Sequence, residues 1–239
     1  MAQVILVTSG RGGAGKSTVC AYLGTALAAC GKKVLLIEGS HRSLDVLLGA
    51  QDRVVFDLAD ALERRCELGE AMVDACGVRL LCAPLDLQPI VDGAACRELR
   101  AALEEHFDFI LIEADGGDRV RLAAFAASAD RAVIVSAADA VSARAGRMVS
   151  DSLDAAGVED IRLCVNLLAR DFLKLRPIPD LDWLIDQVCA QLIAVIPFDE
   201  GLVTPVSIGE NINLSNVSKI IFDNFAQRIL GNYIDLLVQ

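Results

Sequence analysis

A glycine-rich stretch near the start of the chain has the residue types and spacing that bind phosphate. Residues 10–17 are Gly-Arg-Gly-Gly-Ala-Gly-Lys-Ser and fit the pattern G-x-x-x-x-G-K-[ST] without a mismatch. In such a loop, backbone N–H groups and the positive end of a following helix attract phosphate, the lysine contacts the β- and γ-phosphates, and the hydroxyl coordinates Mg²⁺. The stretch predicts that the chain binds a nucleoside triphosphate, with Lys16 on the phosphates and Ser17 on the metal.

The elements that must position this loop are also indicated by the sequence. Residues 4–8 form an apolar, β-branched run that is typical of a buried strand. Residues 17–30 are rich in Ala and Leu and contain no Pro, and Gly31 is suited to end a helix. The order strand, glycine loop and helix argues against an accidental match of the motif.

Strand-like and helical runs alternate along the rest of the chain. The predicted strands, which are mostly apolar throughout, are residues 33–38, 78–82, 108–113, 131–136, 161–165 and 192–196. The predicted helices are residues 57–65, 94–105, 121–128, 139–156, 181–190 and 216–237, and residues 170–180 are predicted to be a surface loop. This alternation predicts an α/β fold in which a mostly parallel sheet lies between two helix layers. The ligand is expected at the carboxyl ends of the strands, where the glycine loop lies.

Composition and charge limit the possible functions. A chain of 239 residues that is 54% hydrophobic is long enough to bury a full core, so we expect a single domain over residues 1–239. Its 33 acidic and 22 basic side chains give a formal net charge of −11, which argues against binding to nucleic acid or to an anionic membrane.

The cysteines and the termini indicate a cytoplasmic protein. The eight cysteines are scattered, none forms C-x-x-C, and we expect them to be free, buried thiols. The first strand starts almost at once, which leaves no room for a signal peptide, and no apolar run approaches the roughly 20 residues that span a bilayer.

Several segments resemble one protein family in the same order along the chain. The loop is preceded by Val-Thr-Ser at residues 7–9 and contains a Gly-Gly pair, and in this it resembles the deviant Walker A loop of the MinD/ParA family of P-loop ATPases, the MinD-like members most closely. Residues 32–38 are similar to the family's second strand, residues 43–49 and 53–58 to the segment after its first switch, and residues 107–113 to its Walker B strand. The resemblance covers about residues 3–230.

The resemblance implies a three-layer α/β/α P-loop NTPase fold and a defined site. The implied ligands are ATP (or ADP) and Mg²⁺, with Asn166 contacting adenine and Pro197 in the loop that borders the base. The implied nucleotide-binding residues are Gly10, Arg11, Gly12, Gly13, Ala14, Gly15, Lys16, Ser17, Thr18, Asn166 and Pro197. The implied metal ligands are Ser17, Glu38 and Glu113, and the implied catalytic residues are Lys16, Arg11 and Glu38.

Arg11 is the first departure from the family pattern. It stands where relatives carry a signature lysine that reaches across a nucleotide-sandwich dimer to the partner's phosphates. A guanidinium keeps the positive charge and has a planar fork that suits phosphate, but it is longer than an ammonium group. Two interpretations therefore stay open: Arg11 acts on the partner subunit's nucleotide, or it is a loop residue without that role.

The other departures concern carboxylates. The family's Asp-x-Asp after the second strand is replaced by Glu38 and Ser40, and the Walker B residue is Glu113 instead of Asp. Ser40 falls where the resemblance implies a carboxylate that orients the attacking water, and a hydroxyl is a poor base at neutral pH. Asp115, in the altered second switch, is interpreted either as a stand-in carboxylate near the γ-phosphate or as a turn residue.

The resemblance implies an ATP-binding dimeric switch that acts in cell division or spatial positioning, and the altered hydrolysis residues predict that its turnover is slow. The alternative is a hydrolysis-deficient, nucleotide-binding interaction protein. An iron–sulfur carrier of the same superfamily is disfavoured by the missing C-x-x-C. The resemblance implies a homodimer in the ATP-bound state and a protein partner that the sequence does not name. Adenine is expected as the base, with guanine left open.

The tail and the two histidines complete the candidates. MinD-like relatives end in a basic amphipathic helix, whereas residues 232–239 here contain no Lys or Arg, so membrane binding is not expected. The tail's Ile234, Leu236, Leu237 and Val238 are expected to complete the last helix against the core. His41 is expected to be an exposed loop residue, and His106 is expected at a helix end.

Overall fold

The computed structural model of the chain describes residues 1–85, 92–203 and 215–236. Within these ranges, eight strands form one sheet in the order β3-β4-β2-β5-β1-β6-β7-β8. The strands are Gln3–Ser9 (β1), Val34–Glu38 (β2), Met72–Ala75 (β3), Val78–Leu81 (β4), Phe109–Asp115 (β5), Arg131–Ser136 (β6), Asp160–Leu168 (β7) and Gln191–Pro197 (β8). The β3–β4 pair is antiparallel, and the other neighbouring pairs are parallel.

Helices connect the strands and cover both faces of the sheet. They are Lys16–Ala29 (α1), Leu44–Leu47 (α2), Leu58–Leu62 (α3), Gly93–Leu103 (α4), Arg119–Ala126 (α5), Ala140–Ala155 (α6), Phe172–Leu175 (α7), Leu181–Val188 (α8), Glu200–Val203 (α9) and Asn216–Ile229 (α10), with a 3₁₀ turn at Gln51–Arg53. Among the described helices, none is long and apolar enough to cross a membrane.

The continuously apolar strands supply two cores. In β1, Val4 and Leu6 pack with α4, α5, α6 and α8 on one face, whereas Ile5 and Val7 pack with α1 and α10 on the other. All four side chains are at most 1% exposed because both faces of the sheet are covered by helices. The α/β fold with a mostly parallel sheet between two helix layers is therefore confirmed.

The predictions for the last helix and for the tail that follows it need correction. The last helix was expected to extend over residues 216–237, but α10 ends at Ile229. Gly231 has φ 88°, and the N–H of Asn232 donates to the carbonyl of Gln227 at 3.0 Å, which closes the helix. Ile234 and Leu236 therefore do not continue the helix, and Leu236 is 36% exposed. Leu237 and Val238 lie outside the described residues.

Short elements were not predicted from the sequence. Strand β3 joins β4 through Cys76 and Gly77, which both have positive φ (48° and 83°), and its pattern is too short to show a period. The expected loop at residues 170–180 contains the four-residue helix α7. The predicted helix at 57–65 ends early, at Leu62, and Arg64 beyond it has φ 57°.

All eight cysteines are free, as expected, but only four of them are buried, since Cys30 and Cys66 are partly exposed and two others are fully exposed. Cys76 and Cys189 are exposed, and both lie at turns with positive φ (48° and 56°). The local backbone of a turn places these two side chains in solvent, whereas cysteines within strands and helices point into a core.

Candidate nucleotide-binding site

The glycine loop lies between the carboxyl end of β1 and the start of α1. Gly13 and Gly15 have φ of 80° and 85°, which a residue with a Cβ adopts only with strain. Gly15 occupies the N-cap of α1 without a side-chain cap bond, and the first turn of α1 contains no acidic residue. The first N–H groups of α1 are thus free of a competing side-chain acceptor, which is the arrangement that attracts an anion.

The packing of the loop explains why two of its positions, 10 and 15, require glycine. A Cβ on Gly10 would lie 2.3 Å from the carbonyl oxygen of Ala145 in α6. A Cβ on Gly15 would lie 2.2 Å from Nδ2 of Asn166, and this nitrogen donates to the carbonyl of Ala14 at 2.8 Å. Asn166 is 4% exposed, so it holds the loop against the end of β7. A Cβ on Gly12, by contrast, would meet nothing within 4 Å.

Three side chains of the predicted site meet where β5 passes the loop. The ammonium group of Lys16 forms an ion pair with Oε1 of Glu113, and the Ser17 hydroxyl donates to the same oxygen at 3.1 Å. Glu113 is 1% exposed, and its Oε2 is buried without a hydrogen-bond partner in the described part of the chain. A hydroxyl beside an unsatisfied carboxylate oxygen is a donor set that suits Mg²⁺, which prefers oxygen ligands. The residues present therefore fit a magnesium ion.

Glu38 lies next to Glu113 in the sheet register, but its contacts are different. Its Oε1 accepts the N–H groups of Ser43 and Leu44, both at 2.5 Å, and its Oε2 accepts the N–H of Ala83 at 3.2 Å. Burial raises the pKa of Glu38 to about 7, and the charge of Asp45 adds to this, while the three hydrogen bonds act in the opposite direction. The structure therefore brings Lys16, Ser17 and Glu113 together and directs the Glu38 carboxylate to backbone.

The segment after β2 is tightly packed. The N–H of Gly39 donates to the carbonyl of Glu113 at 2.7 Å, and a Cβ on Gly39 would lie 2.5 Å from the ring of Phe125. The Arg121 guanidinium donates to the Gly39 carbonyl at 3.1 Å, which links α5 to this segment. Ser40 is only 5% exposed. Sequence analysis did not identify Arg121, because a single arginine on a helix has no pattern that predicts such a contact.

Asp115, in the second switch, forms a turn, as one of its two interpretations predicted. Its Oδ1 accepts the N–H of Gly117 at 3.0 Å, an Asx-type turn directly after β5. Thr8 is a further residue that sequence analysis did not assign: its hydroxyl oxygen is completely buried at the end of β1 and has no hydrogen-bond partner among the described residues.

The remaining predicted residues lie around the loop or away from it. The Arg11 side chain is 55% exposed, and its guanidinium lies 3.7 Å from Asp139 at the N-cap of α6. Although burial acts to raise it, hydrogen bonds from Ser142 and Val141 and the charge of Arg11 lower the pKa of Asp139. Pro197 ends β8 opposite Leu168 of β7, two residues beyond Asn166.

Both histidines lie in the expected positions. His41 is an exposed residue of the loop before α2, and His106 is exposed three residues after the end of α4.

Comparison with known proteins identifies the family. Residues 5–212 match the family described as CobQ/CobB/MinD/ParA nucleotide binding domain. A septum site-determining protein MinD from Synechocystis is 31% identical over 246 residues, which cover 99% of this chain and 92% of the relative. The chain belongs to this family.

Solved structures of MinD proteins are similar to this chain over nearly its whole length. The MinC:MinD cell division protein complex of Aquifex aeolicus contains a chain that is 30% identical, with a TM-score of 0.89 and 99% of both chains covered. MinD of Pyrococcus horikoshii complexed with Mg-ADP is 26% identical, with a TM-score of 0.78 and 96% of both chains covered. The predicted family and the P-loop fold are confirmed, and the chain is a member of a family of P-loop ATPases.

The packing of the MinD/ParA loop leads to a prediction for two of its glycines. Gly10→Ala should destabilise the protein by about 1–3 kcal/mol, because the new methyl group must displace the backbone of α6. Gly12→Ala is the matched control, since its methyl group enters open space. Urea unfolding of the nucleotide-free variants measures both changes. Equal stability of the two variants would contradict the packing of Gly10 against α6.

Proposed function

We propose that the chain is an ATP-dependent switch of the MinD/ParA type, which dimerises with ATP and Mg²⁺ between its subunits and is released by slow hydrolysis. The observation that carries the proposal is the meeting of Lys16, Ser17 and Glu113 at the uncapped N-terminus of α1. A cation, a hydroxyl and a carboxylate at one phosphate-attracting helix end are the parts that binding a nucleotide with its metal requires.

Each group has a defined task in this proposal. The loop N–H groups and Lys16 hold the phosphates, and Ser17 and Glu113 hold Mg²⁺. The metal ion, when bound, neutralises the charge that develops on the phosphates. Lys16 must exchange its ion pair with Glu113 for the phosphate oxygens, and Asn166 and Pro197, at the ends of β7 and β8, would border an adenine base.

The binding part is tested by a charge removal at Lys16. Lys16→Ala should weaken the binding of ATP-Mg²⁺ by at least about tenfold, the factor that corresponds to ~1.4 kcal/mol. Isothermal titration calorimetry measures it, with Lys174→Ala as control because the Lys174 side chain is exposed and pairs with Asp171 in the segment that contains α7. Failure of the native protein to bind, or equal affinity of Lys16→Ala, would contradict the proposal.

The second candidate is a nucleotide-binding interaction protein without turnover, and Ser40 is the observation that favours it. Ser40 is 5% exposed and offers a hydroxyl where the family pattern places a carboxylate. A missing general base costs a factor of about 10² or more in rate. In both candidates the nucleotide-bound state is what a partner protein would recognise.

Restoring a carboxylate at residue 40 distinguishes the candidates. Ser40→Asp should raise the rate of phosphate release by about 10-fold or more if the residue limits turnover, whereas Ser40→Ala should leave the native rate nearly unchanged. Phosphate release with saturating ATP is measured against Lys16→Ala as background. Native release above that background supports the enzyme. Tight binding of ATP by the native protein without phosphate release supports the interaction protein, and release restored by Ser40→Asp would identify the missing carboxylate as the cause.

Dimerisation is tested at Arg11. This side chain is mostly exposed, and the nearest charged partner is Asp139 at 3.7 Å, so the guanidinium is available to a second subunit's nucleotide. Arg11→Ala should abolish ATP-dependent dimers while the affinity of the monomer for ATP stays nearly unchanged, because backbone N–H groups and Lys16 form the site within one subunit. Size-exclusion chromatography with a slowly hydrolysed ATP analogue measures this, with exposed Arg97→Ala as control. Normal dimers of Arg11→Ala would remove this role.

The proposed setting is a cytoplasmic switch in cell division or spatial positioning, read by a partner protein that recognises the dimer. The similar chain in the Aquifex complex is bound to MinC, which supports a protein partner. The net charge of −11 supports a switch that does not depend on nucleic acid.

A further inference from the structure

We propose that Glu38 is a positioning residue that fixes the first switch segment, defined here as residues 39–47, and that it is not a ligand of Mg²⁺. The second half of this statement rests on the proposed nucleotide-binding function, whereas the first half stands on the contacts of the nucleotide-free chain. It assigns different tasks to two buried carboxylates that lie side by side in the sheet.

The Glu38 carboxylate takes the place of a helix cap. Its Oε1 accepts the N–H groups of Ser43 and Leu44, both at 2.5 Å, where α2 begins. Ser43 occupies the N-cap position but makes no side-chain cap bond of its own. A buried carboxylate that accepts N–H groups at a helix start satisfies donors that the helix itself leaves unpaired.

The same side chain also ties the segment to β4. Its Oε2 accepts the N–H of Ala83, two residues beyond the end of β4, at 3.2 Å. Both oxygens of Glu38 therefore have backbone partners, and the side chain is fully buried. To coordinate a cation through Oε1 it would have to give up the bonds to Ser43 and Leu44, which leaves their N–H groups unpaired at a cost of roughly 1–3 kcal/mol each.

Glu113 shows the opposite situation. Its Oε1 contacts Lys16 and Ser17, while its Oε2 is buried without a partner among the described residues. Of the two neighbouring carboxylates, Glu113 thus has one oxygen without a partner among the described residues, whereas both oxygens of Glu38 accept backbone N–H groups.

The length of the Glu38 side chain explains why glutamate stands where the family pattern has aspartate. Aspartate would withdraw the carboxylate by about one carbon–carbon bond, ~1.5 Å, and would not reach Ser43, Leu44 and Ala83 without backbone movement. The rest of the segment is held separately: Gly39 is bonded to Glu113, and Arg42 pairs with Asp45 at 2.6 Å with both side chains largely buried. Glu38 therefore holds the middle of the segment, at Ser43 and Leu44.

The test compares Glu38→Gln with Glu113→Gln by two measurements. The first is the rate of trypsin cleavage after Arg42 in the nucleotide-free protein, relative to cleavage after exposed Lys174. The second is the Mg²⁺ concentration that gives half-maximal binding of ATP. Glutamine keeps the size of the side chain but replaces one acceptor oxygen with an NH₂ group, which cannot accept from the N–H groups of the segment.

We expect Glu38→Gln to raise cleavage after Arg42 by about tenfold, the effect of losing one charge-assisted hydrogen bond, and to change the Mg²⁺ requirement by less than about twofold. Glu113→Gln should raise the Mg²⁺ requirement by about tenfold or more and leave cleavage after Arg42 unchanged. A Glu38→Gln variant with native cleavage, or with a Mg²⁺ requirement that rises as in Glu113→Gln, would overturn the proposal.

Two further measurements keep the test decisive. If Glu38→Gln does not fold, hydrogen exchange on the native protein takes its place: the amides of Ser43, Leu44 and Ala83 should exchange slowly, and fast exchange would overturn the positioning role. If the native protein binds no ATP at any Mg²⁺ concentration, the proposed function fails, whereas the cleavage and exchange measurements still decide the positioning role.

Discussion

The parallel pairing of β5 with β1 on one side and with β2 on the other is the constraint on which the site depends. In this register Glu113 lies beside Val7 and beside Glu38, so the glycine loop that follows β1 and the switch segment that follows β2 both start next to one carboxylate. The pairing is held by strands buried on both faces, where a shift of register would expose apolar side chains or bury polar ones. Backbone hydrogen bonds between the strands thus position the edge of the sheet that carries the candidate site.

The two buried carboxylates, Glu38 and Glu113, have different bonding partners. Both are at most 1% exposed, and an ionised carboxylate in such a position requires partners. Glu113 obtains them from Lys16 and Ser17, which belong to the phosphate loop, and Glu38 obtains them from backbone N–H groups of the first switch segment. Glu113 therefore links the phosphate loop to β5. Its neighbour Glu38 links the first switch segment to β2 and to the residues after β4.

The extra methylene of each glutamate gives a common reason for the departures from the family pattern. At residue 113 it lets the carboxylate reach both Lys16 and Ser17, and at residue 38 it lets the carboxylate reach the start of α2. Ser40 then lies between Gly39, which Glu113 and Arg121 hold, and the Ser43 and Leu44 amides, which Glu38 holds.

The sequence by itself determined the fold class, the family and the position of the phosphate loop, because these depend on local patterns: apolar strands, a helix after the loop, and glycines where the backbone has positive φ or touches α6. It did not determine the contact of Arg121 with Gly39, because this contact joins residues that are far apart in the sequence, or the strand β3, which is too short to show a period. The end of α10 at Ile229 was predicted too late, although Gly231 and the bond from Asn232 to Gln227 set it locally. The direction of the Glu38 and Glu113 side chains was likewise decided by the tertiary structure. The two carboxylates at the ends of adjacent strands look equivalent in the sequence. In the folded chain, backbone N–H groups surround Glu38, whereas Glu113 pairs with Lys16 and keeps one oxygen without a partner among the described residues.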